Sequence, residues 1–328
     1  MKVIHPHYRV ELNWIEVLAE ALGGVIDHNF IRGNNDTYQG VHYVDSIEPD
    51  ITAMLEDTNY KEDVRIKYTN SDADFVGIYY YSLEGANIGL AVDETERNLL
   101  GQFNYNISIL DSDLDLDYII DKDTNAYTIC IFIKKKALKR YFKNMPELEP
   151  LAEEIFNRET NTIVRLNRMT IYSALLIQNF RKISYDNPFY GFYFKGLINS
   201  LLSEYLQQLR LDKIVIGKAI DQDFRRILES KVFLLHSLEG DFPGVEALAE
   251  MVSMSSSKYK KLFTKITGSS PGVYFQSNKL YQAKELLATG QYTIGEVAVK
   301  LNYSSISYLA KRFKEAYGIY PKEYQNLL

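Results

Sequence analysis

The stretch from Val245 to Phe263 recurs, in the same order of residue types, from Ile294 to Phe313. Each copy offers a short helix with a central alanine (Ala249, Ala298), a tight turn, and a serine (Ser255, Ser304) suited to cap a second helix. Alanine suits a point where two helices cross closely. The turn positions, Ser253 and Asn302, precede an apolar plug, Met254 or Tyr303. Asparagine tolerates left-handed backbone better than most residues, serine less so. Thr293 and Glu296 add a capping box to the second copy. Between the copies, Ser270-Pro271 through Thr289-Gly290 predicts one connecting helix of about nineteen residues. Its length of roughly 28 Å suits two helices reading one duplex face a DNA turn, roughly 34 Å, apart. A helical bundle without a ligand can share that layout.

Charge follows the same division. The chain of 328 residues has a net charge of −6, yet residues 241–328 hold eleven Lys/Arg against seven Asp/Glu, a local +4. Phosphate contacts are made by one face of one domain, so the local value matters more than the total. No run approaches the roughly eighteen apolar residues of a membrane span. Met1–His7 lacks the apolar core of an export signal, so a cytoplasmic protein is expected. A single cysteine, Cys130, rules out an intramolecular disulfide and a cysteine-rich zinc site.

Ahead of the repeat the texture changes twice. Residues 8–22 read as an amphipathic helix stopped by Gly23-Gly24. Residues 25–135 read as short strands, among them Val64–Tyr68, Phe75–Leu83, Ile88–Val92, Asn104–Leu110 and Ala126–Ile133. Turns are expected at residues 33–36, 70–72, 84–87 and 121–123, which suggests a small antiparallel barrel or sandwich. Residues 148–157, 161–183, 190–211 and 221–237 carry helical periodicity. Leu166, Met169, Ile171, Leu175, Leu176 and Phe180 form an apolar stripe that would bury against the barrel, or against a second subunit. The expected domains are 1–135, 136–238 and 239–328, with the linker near Glu239-Gly240-Asp241.

The matches in the repeat region are numerous and in register: Leu248-Ala249-Glu250, Ser255, Lys258, Phe263, Gly268, Tyr274, Leu280 and Ala283-Lys284-Glu285-Leu286-Leu287. They continue through Ile294-x-Glu296-Val297-Ala298, Tyr303-Ser304, Ser307-Tyr308, Arg312-Phe313-Lys314, Tyr317-Gly318 and Pro321-x-x-Tyr324. With these, residues from about 242 to 328 resemble the AraC/XylS family of transcription regulators along its whole DNA-binding domain. Family members usually have Gly at 253 and 302, Arg at 279 and an aromatic at 309, where this chain has Ser, Asn, Lys and Leu. The resemblance implies an all-α double helix-turn-helix domain whose second helices enter adjacent major grooves of promoter DNA. By position, the first reader presents Ser256, Ser257, Lys258, Lys260 and Lys261. The second presents Ser305, Ile306, Ser307, Tyr308, Lys311 and Arg312. Tyr259, Leu262, Phe263, Leu309 and Phe313 should face the core.

The front part resembles the cupin-like sensory barrels that often precede this domain, making the whole an α+β protein. That likeness implies a small-molecule effector and a possible homodimer, and the family resemblance of the repeat implies activation through RNA polymerase. Tyr79 and Tyr81 share one strand face and are the candidate effector contacts; as packing residues they would need no ligand. No metal or cofactor is expected: the five histidines form no cluster, and His5-Pro6-His7 reads as a mobile terminus. The acidic run Asp111–Asp117 lacks the glycine and glutamate of a calcium loop and reads as a solvated turn. No phosphate loop or nucleophile elbow is present. The competing readings are a cupin-type enzyme or carrier with a helical oligomerisation domain, and a constitutive DNA-binding protein whose front part dimerises.

Overall fold

The computed structural model describes residues 1–69, 74–84, 88–91, 97–99, 107–212 and 214–326. The chain divides into two compact units, Met1–Asp223 and Phe224–Leu328.

The first unit opens with β1 (Lys2–Ile4) and α1 (Ile15–Leu22), then β2 (Val25–Asp27), β3 (Phe30–Asn34), β4 (Tyr38–Glu48) and β5 (Ile51–Tyr60). It continues with β6 (Val64–Tyr68), β7 (Phe75–Glu84), β8 (Ile88–Ala91), β9 (Arg97–Leu99), β10 (Ile107–Asp111), β11 (Leu116–Ile120) and β12 (Asn125–Lys134). Helices α2 (Lys135–Lys143) and α3 (Ala152–Ile155), strand β13 (Val164–Asn167), then α4 (Ile171–Phe180) and α5 (Tyr190–Leu211) complete it. An eight-stranded antiparallel sheet has the order β13-β10-β7-β12-β5-β4-β3-β2. A second sheet has the order β1-β6-β11-β8-β9, with β1 parallel to β6.

The central strands of the larger sheet are buried on both faces, which explains their imperfect hydrophobic alternation. One face is aliphatic: Ala53, Leu55, Ile78, Ile129 and Ile131 pack under the helices. Helix α5 lies on it through Phe194, Ile198, Leu201 and Tyr205, a three- and four-residue spacing that keeps one stripe inward. Phe194 meets Tyr43 edge to face at 5.0 Å, and Tyr80 Oη donates to the Leu201 carbonyl at 3.2 Å. The opposite face looks toward the smaller sheet and is rich in tyrosine. Gly40 (φ +147°) is required where β4 crosses β5, because a Cβ there would lie 2.2 Å from the Asp57 carbonyl oxygen.

Four expectations change. Residues 161–183 are not one helix: Val164–Asn167 pairs with β10, and α4 begins only after Thr170, whose side chain accepts from the Ser173 amide. Thr162, hydrogen-bonded to Gly217 and Ala219, holds the chain extended at that point. The apolar stripe is therefore split, with Leu166 buried in a strand and Ile171 and Leu175 exposed. The helices read at 8–22 and 148–157 shorten to Ile15–Leu22 and Ala152–Ile155. The acidic run is no solvated turn: Asp111 is buried against Lys135 at 2.6 Å, and Asp117 accepts from Nε and Nη2 of Arg65, each at 2.9 Å. Finally, His5-Pro6-His7 follows a paired strand, and Pro6 is buried, so this terminus is anchored. The turns read at 70–72 and 85–87, with Val92 and residues 104–106, lie outside the described residues.

The second unit is helical. It contains most of α6 (Asp221–His236), then α7 (Val245–Met251), α8 (Ser256–Thr267), α9 (Pro271–Ala288), α10 (Ile294–Lys300), α11 (Ile306–Tyr317) and α12 (Pro321–Asn326). Among the described residues no helix is long and apolar enough to cross a membrane.

Phe194 is fully buried beneath α5, so Phe194→Ala should cost about 3–5 kcal/mol. Urea unfolding followed by the fluorescence of Trp14, the chain's one tryptophan, checks this; an unchanged midpoint contradicts it.

Candidate nucleic-acid interface

The two copies of the repeat fold alike in backbone detail. Each begins with a seven-residue helix, α7 or α10, and continues into a twelve-residue helix, α8 or α11. In the first turn the Met254 amide donates to the Ala249 carbonyl at 2.9 Å; in the second the Tyr303 amide donates to Ala298 at 2.8 Å. The alanines at the crossing are buried (1% and 2% exposed), leaving no room for a longer side chain. Both long helices end on a left-handed glycine, Gly268 or Gly318, each at φ 79°.

Ser253 and Asn302 both adopt left-handed backbone, with φ of 52° and 48°. Glycine would take this conformation without Cβ crowding. Asn302 offsets part of the strain by donating from Nδ2 to Asp241 Oδ1 at 3.1 Å; Ser253 shows no such side-chain bond. Connecting helix α9 spans 18 residues from Pro271, with Ser270 at its N-cap position making no side-chain cap bond. Thr293 and Glu296 form the expected reciprocal capping box.

One assignment shifts. Ser255 caps α8 as expected, but the cap of α11 is Ser305, whose side chain accepts from the Tyr308 amide at 3.1 Å, and not Ser304. The second copy of the repeat holds one extra residue between turn and helix. The signal was in the spacing: Ala249 and Ala298 are 49 positions apart, Phe263 and Phe313 are 50. Structural equivalence therefore runs Ser257 with Ser307, Lys258 with Tyr308 and Lys261 with Lys311.

The named residues divide by face as the sequence predicts. Tyr259, Leu262, Phe263, Leu309 and Phe313 are buried, at 3% exposure or less. Ser257, Lys258, Lys260 and Lys261 are exposed on α8, while Ser256 is half-buried. Ser305, Ile306, Ser307, Tyr308, Lys311 and Arg312 are exposed at and along α11. Arg312 Nη1 pairs with Glu315 Oε2 at 2.7 Å, and both groups are nearly half exposed. Such a surface pair contributes about 0–1 kcal/mol and gives way readily to a phosphate.

Lys314 was overlooked on the sequence. With Ser307, Ala310 and Lys311 it completes the i, i+3, i+4, i+7 face of α11, and these four line a shallow depression with Glu315 and Tyr320. Its ammonium lies 4.0 Å from the centre of the Tyr320 ring. Two basic residues counted toward the local +4 are instead buried, Lys265 and Lys279. Lys279 on α9 donates to the Gly240 carbonyl at 2.8 Å and the Asn302 carbonyl at 3.4 Å, joining the entry segment to the second turn. Burial lowers its pKa, with Asp241 opposing the shift. Lysine thus makes a structural tie at the position where family members usually carry arginine.

Tyr79 and Tyr81 lie in the other unit, on the sheet face toward the interior, with their rings stacked 6.2 Å apart. Among the described residues no group of three His, Cys, Asp or Glu side chains is placed to hold a metal ion.

Residues 248–327 match the sequence model of a helix-turn-helix domain family. Over 81 residues, 25% of this chain, the sequence is 38% identical to the HTH-type transcriptional regulator AlkR of Acinetobacter baylyi, covering 26% of that protein. It is 30% identical over 83 residues, again 25% of this chain, to the xylose operon regulatory protein of Escherichia coli K12, covering 21% of it. A solved DNA-binding domain of the global transcriptional factor AdpA, in complex with a target DNA, is 29% identical. That match covers 31% of this chain and 91% of the solved one, with a TM-score of 0.29. The chain thus spans about a quarter of the length of these two regulators.

Relief of left-handed strain gives a test. Ser253→Gly should stabilise the second unit by about 1 kcal/mol, and Asn302→Gly by less, since it loses the Asp241 bond. Hydrogen exchange of the α8 and α11 amides reads both; weaker α8 protection in Ser253→Gly contradicts the strain.

Proposed function

Residues 248–327 are a helix-turn-helix domain of the AraC type, and on that premise we propose that this protein is a sequence-specific DNA-binding transcription regulator. The observation that carries the reading is the duplication: two twelve-residue helices, each with a buried aromatic face and an exposed polar and basic face, joined by one connecting helix. At 1.5 Å per residue the 18 residues of α9 extend about 27 Å, a length suited to readers in adjacent major grooves.

In this reading Ser257, Lys258, Lys260 and Lys261 of α8 contact one groove, with Ser256 at its edge. Ser305, Ile306, Ser307, Tyr308, Lys311 and Arg312 contact the next, and Lys314 joins them. Lysine and arginine neutralise phosphates or reach guanine edges, and Ile306 suits a thymine methyl. Residues 1–135 sense an effector through the face bearing Tyr79 and Tyr81. Residues 136–238 link the parts and offer a dimer contact, and 239–328 bind promoter DNA. The protein works in the cytoplasm, carries out no catalysis, and activates by recruiting RNA polymerase.

Binding to genomic fragments, then footprinting and a salt titration, tests the reading. The expected site spans two adjacent major grooves. Lys258→Ala and Arg312→Ala should each weaken binding and reduce the slope of log affinity against log salt by about one. Folded protein that selects no fragment above bulk DNA, with or without an added effector, overturns it.

A further inference from the structure

The two faces of the eight-stranded sheet differ in chemistry far more than a packing role requires. Toward the helices, β5 and β12 present Ala53, Leu55, Ile129 and Ile131. Toward the smaller sheet the same strands present Glu56, Thr58, Tyr60, Thr128 and Cys130. The pairing registers set His42, Glu56, Thr128 and Tyr81 in a single row across β4, β5, β12 and β7. Tyr8, Tyr68 and Tyr118 border the same interior, Tyr118 from the facing sheet. A Cβ at Gly77 would lie 2.6 Å from the Tyr79 ring, so glycine there leaves that ring room to lie against its own strand.

Glu56 carries the one carboxylate of this row. Its Oε1 accepts from Tyr60 Oη at 2.5 Å and from Thr58 Oγ1 at 3.1 Å, while Oε2 takes no hydrogen bond from any described residue. No lysine or arginine pairs with it among the described residues. Arg65 and Lys67 alternate onto the far side of β6, and Arg65 is bound to Asp117. Lys134, at the end of β12, is held by Glu11. His42 does not supply the missing charge: it is buried with Nδ1 unpartnered, and burial lowers its pKa despite Glu56 nearby. Glu56 is thus a half-buried carboxylate with no counter-charge among the described residues.

Tyr8, Tyr79, Tyr81 and Tyr118 keep part of their surface accessible, although burial raises the pKa of every one of their hydroxyls. Tyrosine faces beside an unneutralised carboxylate are the surroundings that attract a cation.

We propose that the space between the two sheets binds a small organic cation carrying an alkylammonium group. Glu56 Oε2 takes the charge, and the rings of Tyr79, Tyr81 and Tyr118 wall it. This ligand is the effector of the regulator reading, on which its biological role rests, although binding itself is measured without DNA. An uncharged sugar would supply Glu56 no counter-charge beyond those of the described residues, and an anion would be repelled by it.

The test uses the full chain and two probes of nearly equal shape: choline, and its uncharged carbon isostere 3,3-dimethylbutanol, with a neutral pentose as third ligand. Trp14 stands edge-on to Tyr8 at 5.2 Å and reports through its fluorescence; calorimetry gives affinity. Choline should bind at least about tenfold tighter than the isostere. Glu56→Gln should abolish that preference while circular dichroism and DNA binding stay intact. If Glu56→Gln fails to fold, Tyr81→Leu should weaken choline and Tyr81→Phe should retain it. Equal binding of choline and isostere, binding of the pentose alone, or no ammonium binding at millimolar concentration overturns the proposal. Loss of DNA selection with choline binding intact would sink the regulator reading and leave the cation site standing.

Discussion

Strand β12 pairs along its whole length with β5 on one side and β7 on the other. It is buried on both faces, so its period of two distributes residues between two interiors. Ile129, Ile131 and Ile133 enter the aliphatic layer beneath α5, and Thr128, Cys130 and Phe132 enter the tyrosine-rich space. A slip of one residue would exchange the two sets, placing threonine and cysteine under the helices and isoleucines beside Glu56. The aliphatic layer therefore fixes the register, and the register assembles the row from His42 to Tyr81. Stability and binding chemistry are tied to one alternation.

The C-terminal unit solves a different problem, holding two exposed helices at defined positions on a small scaffold. Each is anchored by an aromatic pair, the buried Tyr259 with Phe263 and the buried Phe313 with the half-buried Tyr317, and by a capped start and a glycine end. Lys279 adds a tie that a hydrophobic residue could not make, since its ammonium satisfies backbone carbonyls from two separate segments. Left-handed turns at Ser253 and Asn302 persist because the plugs Met254 and Tyr303 must turn back onto the alanine carbonyls. Local strain of this size is tolerated where surrounding packing over-determines the backbone.

Legibility differed between the units for a physical reason. Caps, helix ends and buried aromatics of the repeat are local signals, set by residues within four positions of each other, and nearly all of them were readable. Matching the copies at the turn points to Ser304 as the second cap; matching them at the core aromatics Phe263 and Phe313 points to Ser305. In the first unit, Val164–Asn167 carries helix-compatible spacing, yet the open edge of β10 claims it as a strand. Asp111 and Asp117 look like solvated acids until Lys135 and Arg65, from distant strands and helices, are brought against them.

The sequence by itself determined the duplicated helix-turn-helix, the faces of its two long helices and the concentration of positive charge behind them. Those properties follow from short-range periodicity and capping, which any reader of the chain can count. Only the tertiary structure decided which acids are paired, which lysines are buried, and that Glu56 stands among tyrosines with no cation paired to it among the described residues. The acid pairs and the surroundings of Glu56 depend on strand order and register across as many as eight strands, and the buried lysines on how the helices of the second unit pack. Contacts between residues dozens to a hundred positions apart in sequence are set there, and no local pattern encodes them.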